Sequence, residues 1–566
     1  MRRTTPVLLL SVVHGMVMAA CAGEGNNPSS GSSTATVSSS ERRPGVLVAT
    51  AAPSPAPAPS TTSAPVFQCP GLGAPSVTFG PTVPPDLLNF GTQSNADCFA
   101  WSELVSLNWP TGTGTFGAPM DTSPVAWETY MASDLVFPSD GSKPPAWGTE
   151  PSIPSGCPTT APAPGGGRPR AMRPFKRVGK VSPAAAKATK AAAERFKLAA
   201  PSATSTGTVT PFGPNDIALA TSPPNWLGAQ NGTNVWFEVR VNQDEYNTVV
   251  NDGLYNSNQQ AAFVAAGHPV VMPKGCSTSA GESCPNGSVT GAIEVKAAWM
   301  EAPDANDPAQ KAKWSRYKLT DGVVVDPGTG QCRATTLALV GLHILHKTTS
   351  QPTWAWATFE QVDNAPAVGS TGTPPYGYNF NNPSCAAKQM TVDASCVPGS
   401  TAGAGQNVSV TVGCTPNTKP PYDLGPGCPG PVPIQVTRSI QLDSTAESLN
   451  QQMQAFIGQN YPGSVWQYYR LINVLWSSSP TQDPTSPIPP PQTPAGMTSG
   501  GGTKVFNTVL ETYMQDNTCT DCHRYASTTN GSTFSDFSFL VGNAGPTSTT
   551  ATPKSTTTPI APKPGK

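Results

Sequence analysis

Thirteen cysteines constrain this 566-residue chain more than any other feature. What a cysteine can do depends on the compartment it reaches, and the N-terminus speaks to that. Arg2 and Arg3 precede a mostly apolar stretch, Pro6 to Ala20, that ends in Met18-Ala19-Ala20-Cys21. A short apolar run behind basic residues, with small residues before the cut, is a secretory signal and too short for a membrane span. A cysteine directly after two alanines matches a lipobox, which would make Cys21 the acylated first residue of the mature protein. Met18 stands where Leu is usual, and His14 interrupts the apolar run. The alternative is ordinary cleavage with Cys21 unmodified. Residues 1–21 are therefore read as a lipoprotein signal peptide. Residues 22–65, nearly all Ser, Thr, Ala, Pro, Gly and Asn, read as a disordered tether, since they cannot bury enough surface to offset their ordering entropy. The expectation is a periplasm-facing, membrane-anchored lipoprotein. Ala22 differs from the Asp that marks inner-membrane retention, which leans toward the outer membrane without deciding it.

Two more cysteines lie in Cys519-Thr520-Asp521-Cys522-His523. Two thiols three residues apart can add to the two vinyl groups of one haem, and the adjacent histidine is then held beneath the iron as proximal ligand. A redox dithiol would want a βαβ pattern around it, a zinc site would want a second ligand pair, and a plain disulfide would leave His523 without a purpose. The expected cofactor is one covalent haem c on Cys519, Cys522 and His523. Ten cysteines remain: Cys69, Cys98, Cys157, Cys276, Cys284, Cys332, Cys385, Cys396, Cys414 and Cys428. An even number in an exported chain predicts a disulfide framework, with Cys276 and Cys284 as the local pair. A mixture of bridges and buried thiols is the alternative.

Around the motif, Thr503 to Asn517 is predicted to be a helix with Val505, Phe506, Val509, Leu510 and Tyr513 as its apolar stripe. Phe534, Phe537, Phe539, Leu540 and Val541 form an aromatic cluster able to cover a haem face. One helix and one cluster cannot bury a porphyrin, so the segment 503–545 is expected to dock on the main body. Residues 477–502 read as a Pro/Gly-rich linker and 546–566 as a disordered tail.

The sixth iron ligand is open. No Met or His follows His523, and the mature chain has three other histidines, His268, His343 and His346. The apolar run Leu337 to Lys347 reads as a buried strand, on which residues three apart face opposite ways. Only one of His343 and His346 can then face a given site. His346, at the strand's end, is taken as the candidate distal ligand. The competing readings are that both histidines are hydrogen-bonded core or edge residues, or that the iron is five-coordinate. Met514 and Met497 lie near the motif in sequence but read as packing or loop residues.

The rest, 66–476, predicts an α+β fold: a β-rich main domain with flanking helices, to which the small C-terminal helical haem segment docks. Strand-like runs occupy 235–241, 292–299, 337–347, 353–362, 407–413 and 432–437, with 337–347 and 353–362 as a hairpin. Glu294 and Lys296 share a strand face and read as a solvated or paired surface couple. Helices are predicted for Phe99 to Asn108, from a Ser444–Glu447 capping box onward, and for about Ser464 to Trp476. Residues 160–210 form a basic, low-complexity insert. It is either a solvated insertion or a docking surface for an acidic redox partner. With 12% charged residues and a net charge of −1, nothing suggests a nucleic-acid partner. Gly112 to Gly117 matches a dinucleotide pattern by letters only, since no βαβ context surrounds it.

Six runs carry a resemblance: Phe99 to Pro110, Trp127 to Tyr130, Val239 to Glu245, Gly291 to Trp299, Val340 to Thr348 and Leu510 to Met514. Together they resemble poorly characterised bacterial cytochrome c family proteins of the exported, single-motif type, over roughly 95–545. The resemblance implies the same haem motif and supplies no substrate, reaction or distal ligand. Gln361 stands where a His would be expected in a Thr-Phe-Glu-His-Val-Asp-Asn run.

Three functions follow as expectations. The first is mono-haem electron transfer to a partner protein. The second is a peroxidase-like haem oxidoreductase with an open sixth position. The third is a binding module, for glycan for instance, suggested by 12 Trp, most of which otherwise read as core residues.

Overall fold

Leu337 to Leu345 carries almost nothing but apolar side chains. A strand with this composition is stable only when both of its faces are covered. The computed structural model meets that requirement with a sheet sandwiched between two layers. It describes residues 64–71, 74–87, 90–153, 155–161, 170–171, 173–175, 226–278, 282–285, 287–367, 369–478, 480, 492–493, 505–515, 518–524, 526–531 and 533–547. The export signal with Cys21, the tether, most of the basic insert and of the linker, Met497, and the tail beyond 547 lie outside the described residues.

In chain order the main elements are α1 (Gln93–Leu107), β1 (Val235–Val241), α2 (Gln243–Asn251), α3 (Ser257–Ala265), β2 (Ile293–Glu301), β3 (Leu319–Val325), β4 (Cys332–His346), β5 (Ala355–Gln361), α4 (Ser444–Asn460), β6 (Tyr469–Ser477) and α5 (Cys519–His523). The sheet runs Gln492–Thr493, β6, β5, β4, β2, β1, Met131–Ala132, with β3 paired to the first half of β4. Every pairing is antiparallel except that of Arg173–Phe175 with β3. The body is therefore mixed α and β and β-rich, with few helices, and the expected hairpin of 337–347 with 353–362 is the β4–β5 pair.

A bulge in β4 sets which face the second half of that strand presents to each layer. The register slips between Leu339 and Gly341. One extra residue there swaps the faces. Leu337 and Leu339, then Leu342 and Ile344, pack with Phe99, Leu104, Leu449 and Met453 from α1 and α4. Ala338 and Val340, then Leu345, belong to the opposite face. Loops from 365 to 436, helices α2 and α3, and the C-terminal residues 505–547 cover that second face. Gly341 allows the close approach: a Cβ there would lie 2.6 Å from Val509 Cγ2 and 3.1 Å from Asn507 Oδ1.

The C-terminal residues are tied to this face by polar contacts. Asn507 Nδ2 donates to the Phe359 carbonyl (2.8 Å), Tyr513 Oη to the Trp226 carbonyl (2.7 Å), and Gln260 Nε2 to the Val541 carbonyl (2.8 Å). All ten framework cysteines lie in pairs at disulfide distance: Cys69–Cys98, Cys157–Cys332, Cys276–Cys284, Cys385–Cys414 and Cys396–Cys428. The expected local pair is among them.

Several sequence expectations are corrected. The helix expected over Ser464–Trp476 is a single 3-10 turn, Val465–Tyr468, followed by strand β6. Nearly every residue of β6 is buried on one face or the other, so the alternation that marks a strand is missing. Val505 to Gln515 turns but forms no helix. Its backbone N–H groups find other acceptors: Asn507 donates to Glu511 Oε2 (2.8 Å), Thr508 to Glu360 Oε1 (2.5 Å) and Val509 to Asn507 Oδ1 (3.1 Å). Residues 432–437 are buried but form no strand. Their N–H groups go instead to isolated carbonyls, such as Val436 to Phe380. Asp443, one residue before Ser444, caps α4 through Thr445 and Ala446. Glu294 is buried rather than solvated.

Candidate functional site

Helix α5 is a single turn that holds the Cys519–His523 motif. On such a turn positions i, i+3 and i+4 share a face. Cys519 is half-buried against the apolar cluster formed by Val505, Trp354, Trp356 and Leu540. The His523 ring packs edge-on between Trp356 on β5, at 4.8 Å, and Phe539, at 5.0 Å. Its Nδ1 donates to the Phe537 carbonyl at 2.8 Å, and its Nε2 has no hydrogen-bond partner among the described residues.

The turn that supplies this carbonyl is strained and clamped. Asp536 (φ 53°) and Phe537 (φ 67°) both have left-handed backbones, as does Trp354 (φ 70°). Such conformations cost on the order of 1–3 kcal/mol each and persist only where the surroundings over-determine them. Here the Asp536 carboxylate accepts the Met272 N–H (2.8 Å) and the buried Lys347 ammonium, while its carbonyl accepts the Trp354 indole N–H (3.0 Å). Burial pushes the His523 imidazole down to about 4, and the nearby Lys296 and His343 push the same way. The ring is therefore neutral at ordinary pH, with Nδ1 carrying the proton and Nε2 the lone pair.

The two strand histidines face opposite layers, as their spacing requires. His346 points to the helix layer and is fully buried. Its Nδ1 lies 2.6 Å from Glu103 Oε1, its Nε2 donates to the Thr290 carbonyl at 2.7 Å, and its ring stacks on Phe99. Both nitrogens are engaged on the face away from His523, so the candidate distal ligand sits as a hydrogen-bonded core histidine. Burial raises the carboxyl of its partner Glu103.

His343 faces the other layer. It stands opposite Lys296 on β2 and Thr358 on β5, two residues along β5 from Trp356. Its Nε2 lies 2.8 Å from Glu511 Oε1, and Nδ1 has no hydrogen-bond partner among the described residues. Burial would raise Glu511, but His343, Lys296 and the Asn507 N–H together hold it below the usual carboxylate range. His268 is exposed beside Phe263, and Met514 is half-buried.

A buried carboxylate pair, Glu245 of α2 and Glu294 of β2, lies on the same face. Burial lifts Glu294 to about 7 and Glu245 well above its ordinary value, Glu245 being raised further by Glu294 itself. Neither residue carries a sequence signal. Glu511, Lys347 and the Phe537 carbonyl could not be read from sequence either, because their roles come from long-range packing. Cys276, Glu282 and Cys284 cluster, but the cysteines are paired, and Glu282 accepts from the Ser277 N–H and the Thr349 hydroxyl. Ten of the 12 Trp are buried, with Trp109 and Trp147 part-exposed. Among the described residues no helix is long and apolar enough to cross a membrane. Comparison with known proteins finds no matching family model, no matching curated protein and no matching solved structure.

Proposed function

We propose that this chain is an exported, lipid-anchored c-type cytochrome that carries one covalent haem and passes single electrons to a partner protein. One observation carries the reading: His523, directly after the Cys519–Cys522 pair, is kept neutral by burial, and a hydrogen bond from its Nδ1 to the Phe537 carbonyl fixes its tautomer. A ligating histidine has its other ring nitrogen fixed in this way, which sets the tautomer and aims the free nitrogen. Cys519 and Cys522 would anchor the porphyrin through thioethers, each thiol adding S–H across one vinyl double bond. His523 would bind the iron, and Trp356, Phe537 and Phe539 would keep water from it. When bound, the haem supplies a one-electron iron couple. Cys21 would be the lipid attachment point. Five cysteine pairs at disulfide distance fit an oxidising compartment, where haem c is also attached.

The test is expression of the full chain, leader included, alongside haem-attachment machinery. A haem that stays with the polypeptide after denaturation, and is lost when Cys519 and Cys522 are changed to Ala, supports the reading. A mature, folded protein without covalent haem would sink it.

A further inference from the structure

The geometry points to His343, held by Glu511, as the side chain of the main body that ligates the iron opposite His523. This inference rests on the haem reading above and names a ligand that the motif does not contain.

Three observations carry it. The first is parity. The β4 bulge puts His343 on the face where residues 505–547 dock and His346 on the helix face. The second is position. His343 and Trp356 are diagonal neighbours across β4 and β5, about 7–8 Å apart in such a pairing, and His523 packs on Trp356. The third is chemistry. A metal-binding histidine almost always gives its second ring N–H to a carboxylate or carbonyl. His343 offers that N–H to Glu511, as His523 offers its own to Phe537, and each ring keeps one nitrogen with no partner among the described residues. His346 has both nitrogens engaged, and His268 is exposed at the end of α3. A carboxylate on Nε2–H makes the imidazole a stronger donor to a metal.

The experiment uses the haem-loaded full chain and reads the iron by optical and electron paramagnetic resonance spectra, with and without carbon monoxide. Wild-type protein should be low-spin and should not bind carbon monoxide when reduced. His343→Ala should become high-spin and bind it, and free imidazole should restore the low-spin spectrum. His346→Gln should leave the iron low-spin. Glu511→Gln should stay low-spin with its midpoint potential raised, because the weakened donor favours the ferrous state. That variant decides the matter if His343→Ala does not fold. A high-spin wild type, a His343→Ala protein that remains low-spin, or a Glu511→Gln protein with an unchanged potential overturns the assignment while leaving covalent haem intact. A chain that carries no covalent haem overturns the proposed function as well.

Discussion

Replacing Glu360 with Gln removes one charge from a buried carboxylate that joins several elements. Glu360 lies on β5, fully buried. Its Oε1 is 2.5 Å from Arg438 Nη2 and accepts the Thr508 N–H, while Oε2 is 3.6 Å from Arg470 Nη2. One side chain thus joins β5, β6, the loop before α4 and the C-terminal residues. The Gln variant keeps the volume but leaves Arg438, 2% exposed, and Arg470, 20% exposed, without their counter-charge. Breaking a buried pair from one side costs roughly 3–5 kcal/mol. The pH dependence follows from the direction of the shift. Burial would raise the Glu360 carboxyl, but Arg438 and Arg470 outweigh it and hold the group low. A carboxylate depressed in the folded state adds stability above its unfolded value of about 4.3. That contribution is lost as pH falls through the lower folded value. Urea unfolding of the disulfide-intact protein, followed by tryptophan fluorescence between about pH 3 and pH 7, reads both effects. A loss below about 1 kcal/mol at neutral pH, or an acid limb as steep in the variant as in the wild type, would refute the account.

Two further perturbations test the layers on either side of the sheet. Asp97 on α1 is fully buried, with Oδ1 accepting from Gln93 (2.8 Å), and burial pushes it up to about 7. A raised acid is stabilising below its unfolded pKa, so stability should fall as pH rises from about 4 to about 7. Asp97→Asn should flatten that fall and gain up to about 4 kcal/mol near pH 8; parallel curves for the two proteins would count against this. Gly341→Val puts branched carbon where Val509 Cγ2 would be 2.6 Å away. It should cost about 1–3 kcal/mol and speed protease cleavage within 505–515, whereas an unchanged cleavage pattern would contradict the close-approach argument.

What could be read in advance was mostly local. Strands β1, β2, β4 and β5, the helix beginning near 444 and the Cys276–Cys284 pair follow from patterns only a few residues long. Residues 469–477 were illegible because burial on both faces erases alternation and leaves Tyr469, Ile472 and Trp476 at spacings that also suit a helix. Residues 505–515 carry a helical stripe that is buried, yet their N–H groups are claimed by Glu360, Glu511 and Asn507, an outcome set by partners up to 148 residues away.

The two strand histidines show the limit most sharply. Their three-residue spacing already requires opposite faces, but it cannot say which face meets the C-terminal residues. That choice depends on a single-residue bulge between Leu339 and Gly341 together with the side chosen by α1. Once α1 covers Leu342 and Ile344, His346 must meet Phe99 and Glu103, and His343 must meet whatever covers the other side. The glycine that admits Val509 and Asn507 lies two residues before His343, so the same stretch of β4 that turns His343 toward residues 505–547 also makes room for them. The C-terminal residues then bring Glu511 to His343 and carry His523 to Trp356 on the neighbouring strand. Two histidines separated by 180 positions in sequence are therefore brought to the same face of the sheet through one bulge and one glycine, neither of which belongs to any motif.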